Sequence, residues 1–103
     1  MGKKAEKPLD LGTCEELEDY LHYNHAVYMR YGHKFYYITD VGESYWRAQD
    51  TALRNHKNHF TDCSEIVPTL DEFMSLRFLN GQTVRDVFDS AIFYASIYGE
   101  KDQ

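Results

Sequence analysis

Three side chains able to hold a soft divalent metal fall within the stretch "HKNHFTDC": His56, His59 and Cys63. Zinc accepts imidazole nitrogen and thiolate sulfur, and the spacings HxxH and HxxxC would align all three on one side of a helix. A second pair, His22 and His25, stands in "LHYNH", with Cys14 upstream. Residues 55–63 nevertheless hold two Asn and no apolar stripe, which argues against a helix there. Structural zinc sites use tight ligand doublets, and Cys14 and Cys63 make no CxxC motif. The stretch is expected to be a polar loop ending in a small, buried cysteine, with no metal and no cofactor.

Covalent catalysis has little support either. His59 precedes Cys63 by four residues, but a reactive pair is defined in space and not by sequence proximity. The chain has no glycine-rich phosphate loop, no GxSxG and no HExxH. A 103-residue chain leaves little volume for a deep pocket, so a non-enzymatic role is expected.

Two other sets of residues could bind a partner. Tyr28, Arg30, Phe35, Tyr37, Tyr45 and Arg47 combine rings with guanidinium groups. Such a set can stack the bases of a single strand, or form the core of a protein interface. Glu15, Glu16, Glu18 and Asp19 form a compact acidic group. Negative charge in the first turns of a helix also satisfies its dipole, so a solvated face would need no partner. The chain carries a formal net charge of −6; Lys3, Lys4, Lys7 and Glu6 give residues 1–8 a charge of +2, leaving about −8 for the rest. So acidic a body repels phosphate backbones and suits a protein partner with a basic surface. No apolar run approaches the ~18 residues of a membrane helix, and no apolar stretch follows the N-terminal Lys. The two cysteines are then expected to be reduced thiols in a cytoplasm.

These groups must be placed by a small set of elements. Residues 1–10 are charged and aperiodic, and read as a mobile tail before a single domain over 11–103. "TCEE" makes Thr13 an N-cap with Glu16 three residues later, and predicts a helix over about 13–24. Gly32-His33 interrupts a β-rich run and suits a two-residue hairpin turn. That register sets Tyr31 opposite Lys34, Met29 opposite Tyr36, and Val27 opposite Ile38. "YWRAQ" at 45–49 reads as a third strand, and 50–62 as a loop or a loop ending in a short strand at 59–62. Thr69 with Glu72, and Thr83 with Asp86, cap two further short helices on either side of "NGQT". "IFYASIY" at 92–98 is β-rich and could return as a last strand. The expected core comprises Leu17, Leu21, Val27, Met29, Ile38, Trp46, Phe73, Val87 and Phe88.

This order predicts an α+β fold, an antiparallel sheet of three to five strands packed with about three short helices. The stretches "CEELEDYL", "YMRYGHKFYYIT" and "NGQTVRDVFDS" resemble those of small bacterial proteins common in mobile elements. In that group an acidic "EEL" helix precedes an aromatic hairpin, and a "GKSLREIWD"-like module follows. The resemblance implies a fold and a bacterial setting, and transfers no catalytic residue. With the acidity it suggests an inhibitor or immunity-type protein, of the anti-CRISPR or toxin-immunity kind, acting on a nucleic-acid-handling enzyme. Single-stranded nucleic-acid binding and metal-assisted catalysis are the alternatives. The metal question has a direct test. Protein purified without chelator should carry no stoichiometric zinc by elemental analysis, and His56→Ala with His59→Ala should change stability by less than ~1 kcal/mol. One metal per chain, lost in that double variant, would reverse the reading.

Overall fold

The computed structural model describes residues 7–42, 44–54, 56, 57 and 59–95. Among them, five strands form one antiparallel sheet in the order β4-β3-β2-β1-β5. The chain begins with α1 (Cys14–Asn24) and then lays down β1 (Ala26–Tyr31), β2 (Lys34–Val41), β3 (Tyr45–Arg54) and β4 (Phe60–Asp62) as a meander. Two short helices follow, α2 (Leu70–Met74) and α3 (Val84–Val87), then a 3-10 turn (Phe88–Ser90). Last comes β5 (Ile92–Tyr94), which returns antiparallel to β1.

The hairpin has the register expected from its turn: Val27 lies opposite Ile38, Met29 opposite Tyr36, and Tyr31 opposite Lys34. Gly32 adopts φ 66°, which a glycine enters without steric cost. Residues opposed across a ladder share a face. Val27, Met29, Ile38, Ala48, Trp46 and Phe93 therefore point to one side and are buried there. Leu17 and Leu21 of α1, Leu70, Phe73 and Met74 of α2, and Val84 and Val87 of α3 pack into the same cluster. All three helices thus cover one face of the sheet.

Capping explains where these helices start. Thr13, Thr69 and Thr83 each accept a hydrogen bond from the backbone N–H three residues on. Around Thr83 the box is reciprocal, because Asp86 also accepts from the Thr83 N–H at 3.0 Å. At α1 the Glu16 carboxylate instead reaches the Gly12 N–H, at 2.6 Å. The α1 C-terminus is fixed by His25, left-handed at φ 65°, whose N–H donates to the Leu21 carbonyl. The His25 ring then lies parallel to Trp46, and its Nδ1 sits 2.6 Å from Asp40 Oδ2. Before α3, Asn80 and Gly81 take φ 57° and 86° in a two-residue turn closed by Leu79 and Gln82. That turn delivers Thr83 to its capping position.

The structure departs from expectation in four places. β3 runs to Arg54 rather than ending near 49, because β4 pairs with its second half, Asp50 opposite Thr61 and Arg54 opposite Phe60; Thr51 Oγ1 also donates to the Phe35 carbonyl at 3.0 Å. Within the tail expected over 1–10, Leu9 packs on the core and its N–H donates to the Phe93 carbonyl at 2.7 Å, which blunts the β5 edge. The last strand is seen at 92–94, and residues 96–98 of the expected span lie outside the described residues. Phe88 is only half-buried, because the chain tightens there into the 3-10 turn and its ring stacks on Phe93 from outside, at 5.5 Å. Phe73, fully buried, is the better probe of the core. Phe73→Ala should cost ~3–5 kcal/mol in denaturant unfolding, as large buried truncations do, and Phe88→Ala clearly less. Equal costs would mean that Phe88 carries as much of the core as Phe73.

Candidate functional site

The face of the sheet away from the helices collects every member of the aromatic and basic set. Tyr28 opposes Tyr37, Arg30 opposes Phe35, Arg47 opposes Thr39, and Tyr45 opposes Val41. Strand parity places all of them on that one side. Tyr94 of β5 and Phe60 of β4 join them. Tyr28 and Tyr37 lie 4.8 Å apart by ring centroids, Tyr37 and Phe60 5.9 Å, and Phe35 and Tyr94 5.9 Å. Aromatic pairs at these separations favour tilted and edge-to-face geometry, as found here. The face is only weakly basic: Arg47 Nη1 donates to Asp62 Oδ1 at 3.1 Å, while Arg30 is exposed and makes no ion pair among the described residues.

The acidic set lies on the opposite side, on the outer surface of α1. Its four members differ in what they do. Glu16 is held by the Gly12 N–H. Glu18 accepts from Arg85 Nη2 at 3.1 Å, and the same guanidinium nitrogen reaches Asp71 Oδ1 at 3.1 Å. Arg85 thereby ties α1, α2 and α3 together, although exposed ion pairs of this kind contribute only ~0–1 kcal/mol each. Glu15 and Asp19 are exposed without an ion-pair partner among the described residues. They do not stand alone, since residues 7–24 and 64–91 hold ten Asp and Glu against three Lys and Arg. The negative charge is therefore concentrated in the helix layer.

A third group lines a cleft of about 400 Å³ beside the hairpin turn. Asp50, 2% exposed, accepts from Lys34 Nζ at 2.8 Å and from the Ala52 N–H at 2.9 Å. Burial pushes the Asp50 pKa up, but the hydrogen bonds from Lys34 and Ala52 and the Lys34 charge outweigh it and hold the carboxyl below its usual range. The same pairing raises the Lys34 pKa. Burial, then the Asp50 charge, pushes the Cys63 thiol up to about 11, and burial likewise raises Cys14 and Tyr36. Cys63 spends its backbone N–H on the Ala48 carbonyl at 2.9 Å. His56 and His59 are exposed in the β3–β4 connection. Among the described residues, no group of three His, Cys, Asp or Glu is close enough to hold a metal ion. Among them also, no helix is long and apolar enough to cross a membrane.

Comparison with protein-family models, with curated proteins and with solved structures returned no match to this chain. The site must be read from its own geometry. Sequence reasoning missed Phe60, Asp62, Gln49 and Tyr94 on the aromatic face. Phe60-Thr61-Asp62 alternates as a strand should, but three residues are too few to reveal a period. The parity of Tyr94 depends on pairing with β1, more than sixty residues earlier.

The Lys34–Asp50 pair generates a pH prediction. Asp50 has a folded pKa below its unfolded value of 3.8, so its contribution is complete above that value and is lost as pH falls through the folded pKa. Lys34 has a folded pKa above 10.5, so its contribution holds below that value and is lost as pH rises through the folded pKa. Asp50→Asn should cost ~1–3 kcal/mol at neutral pH, the range for losing a buried charged hydrogen-bond acceptor. The difference from the parent chain should shrink as the pH drops below about 4. A penalty that stays constant into strong acid would show that the charge of Asp50 is not what stabilises the fold.

Proposed function

We propose that the chain is a non-enzymatic protein-binding domain whose acidic helix layer docks a partner with a basic surface. The observation that carries this reading is the segregation of charge: residues 7–24 and 64–91, which contain the three helices, hold ten carboxylates against three cations, with Glu15 and Asp19 outward and without an ion-pair partner among the described residues. Like charges gathered on one side produce a field that guides an oppositely charged partner during encounter. Enzymes that handle nucleic acid present basic surfaces, so an inhibitor or immunity-type role in the cytoplasm fits the acidity and the mobile-element resemblance of the sequence. The three groups nearest a cleft support a non-catalytic reading. Asp50 and Lys34 favour each other's charged form, and burial pushes the Cys63 thiol up to about 11, away from the thiolate a nucleophile needs.

One flat partner cannot cover α1 and the aromatic face together, because the sheet lies between them. The stacked rings favour a second reading, a platform for single-stranded nucleic acid. The Arg47–Asp62 pairing and the acidity of the chain count against it.

Affinity capture from the host, followed by binding kinetics, tests the first reading. Glu15→Gln with Asp19→Asn should leave stability within ~0.5 kcal/mol, as for ordinary surface sites. Association with the captured basic protein should slow several-fold, and dissociation should change little. Salt rising from about 0.05 M to about 0.3 M should slow association of the parent chain more than that of the variant. Equal association rates for the two at low salt would remove the helix layer as the docking surface.

A further inference from the structure

The open sheet face contains a guanidinium that the fold only half satisfies. Arg47 has a side-chain exposure of 24%, and its Nη1 donates to Asp62 Oδ1 at 3.1 Å. Gln49 Nε2 donates to the same oxygen at 3.0 Å, so Asp62 anchors both side chains. Arg47 Nε is buried and has no hydrogen-bond acceptor among the described residues. A buried donor left unpaired costs ~1–3 kcal/mol, which a fold does not retain without cause. Nε–H and Nη2–H lie along one edge of the planar group, and that two-donor edge matches the two oxygens of a carboxylate. Asp62 engages Nη1 and leaves that edge uncommitted. A cleft of about 370 Å³ is lined by Arg47, Gln49, His59, Phe60, Thr61 and Asp62. The Tyr37–Phe60 pair adjoins the cleft, and Arg30 adds a second positive charge to the same face.

We infer that this face binds a carboxylate-bearing protein segment, an Asp or Glu side chain seated on the free edge of Arg47 with an apolar or aromatic neighbour against Tyr37 and Phe60. A small turn of the guanidinium toward the cleft brings Nη2 and Nε onto the two carboxylate oxygens. Charge complementarity selects the occupant. Among the described side chains the face offers one unpaired positive charge, on Arg30, and one fork, on Arg47, which suits a single carboxylate. A nucleic-acid strand needs a track of cations, and among the described side chains this face has two arginines, one of them already shared with Asp62. The site is on the far side of the sheet from the acidic helix layer, so it serves a separate contact and stands or falls independently of the docking proposed above.

The probe is the tripeptide acetyl-Phe-Glu-Phe-amide, with acetyl-Phe-Gln-Phe-amide as its neutral control, titrated into the ¹⁵N-labelled full chain. The readout is the Arg47 Nε–H cross-peak, assigned through its side-chain correlations in the parent chain and checked by its loss in Arg47→Lys. The Glu peptide should move that peak and bind about tenfold or more tightly than the Gln peptide. Arg47→Lys keeps the charge but removes the fork, and should abolish the preference for Glu. Equal affinity of the two peptides, no movement of the peak at millimolar peptide, or a Glu preference that persists in Arg47→Lys would each overturn the inference. So would an oligothymidylate that moves the peak when the Glu peptide does not. The parent-chain comparison of the two peptides decides the matter even if the variant fails to fold.

Discussion

Val27, Met29, Ile38, Ala48, Trp46 and Phe93 stand side by side across four strands and face the same way. Burying that stripe requires a layer above it, and the apolar surfaces that supply it are the stripes of α1, α2 and α3. The helices are therefore drawn to one side, and the other side is left to whatever the alternate residues happen to be. In this chain those residues are Tyr28, Arg30, Phe35, Tyr37, Arg47 and Tyr94. A slip of one residue in the hairpin would send the aromatic set inward and the core set outward. The Gly32 turn prevents that slip, and so sets the position of everything else.

The same constraint sorts the charges. Three helices begin with threonine caps and acidic first turns, because exposed N–H groups at a helix start favour oxygen acceptors and negative charge. Once all three helices share a face, their carboxylates share it too. The concentration of acidity thus arises from local capping chemistry acting within a one-sided fold. Arg85 offsets only part of it, and Glu15 and Asp19 are exposed without an ion-pair partner among the described residues. On the aromatic face, among the described side chains, Arg47 is paired with Asp62 and Arg30 has no ion-pair partner.

Much of this organisation is legible in the order of the residues. Alternation around Gly32 specifies the hairpin register, and Thr-x-x-Glu or Thr-x-x-Asp marks three helix starts. The pairing of Tyr28, Arg30, Phe35 and Tyr37 on one side follows from parity alone. What escapes a reading of the residues depends on contacts between distant segments. The bond from Arg85 that occupies Glu18 spans 67 residues. β3 continues to Arg54 by pairing with the three-residue β4, where no apolar pattern could announce it. Three helices could equally be shared between two faces, and periodicity says which side of a helix is apolar but not which side of the sheet it will cover. Phe88 reads as core because it follows Val84 and Val87, yet the turn beginning at that residue rotates it out of the helical stripe.

Hydrogen exchange of the full chain, free and bound to the protein it captures, tests the account most directly. If the acidic helix layer is the docking surface, binding should slow exchange over Cys14–Asn24 and over the start of α3, and leave Lys34–Val41 unchanged. Slowing confined to Lys34–Val41 and Tyr45–Arg54, with α1 unaffected, would contradict it and move the partner to the aromatic face.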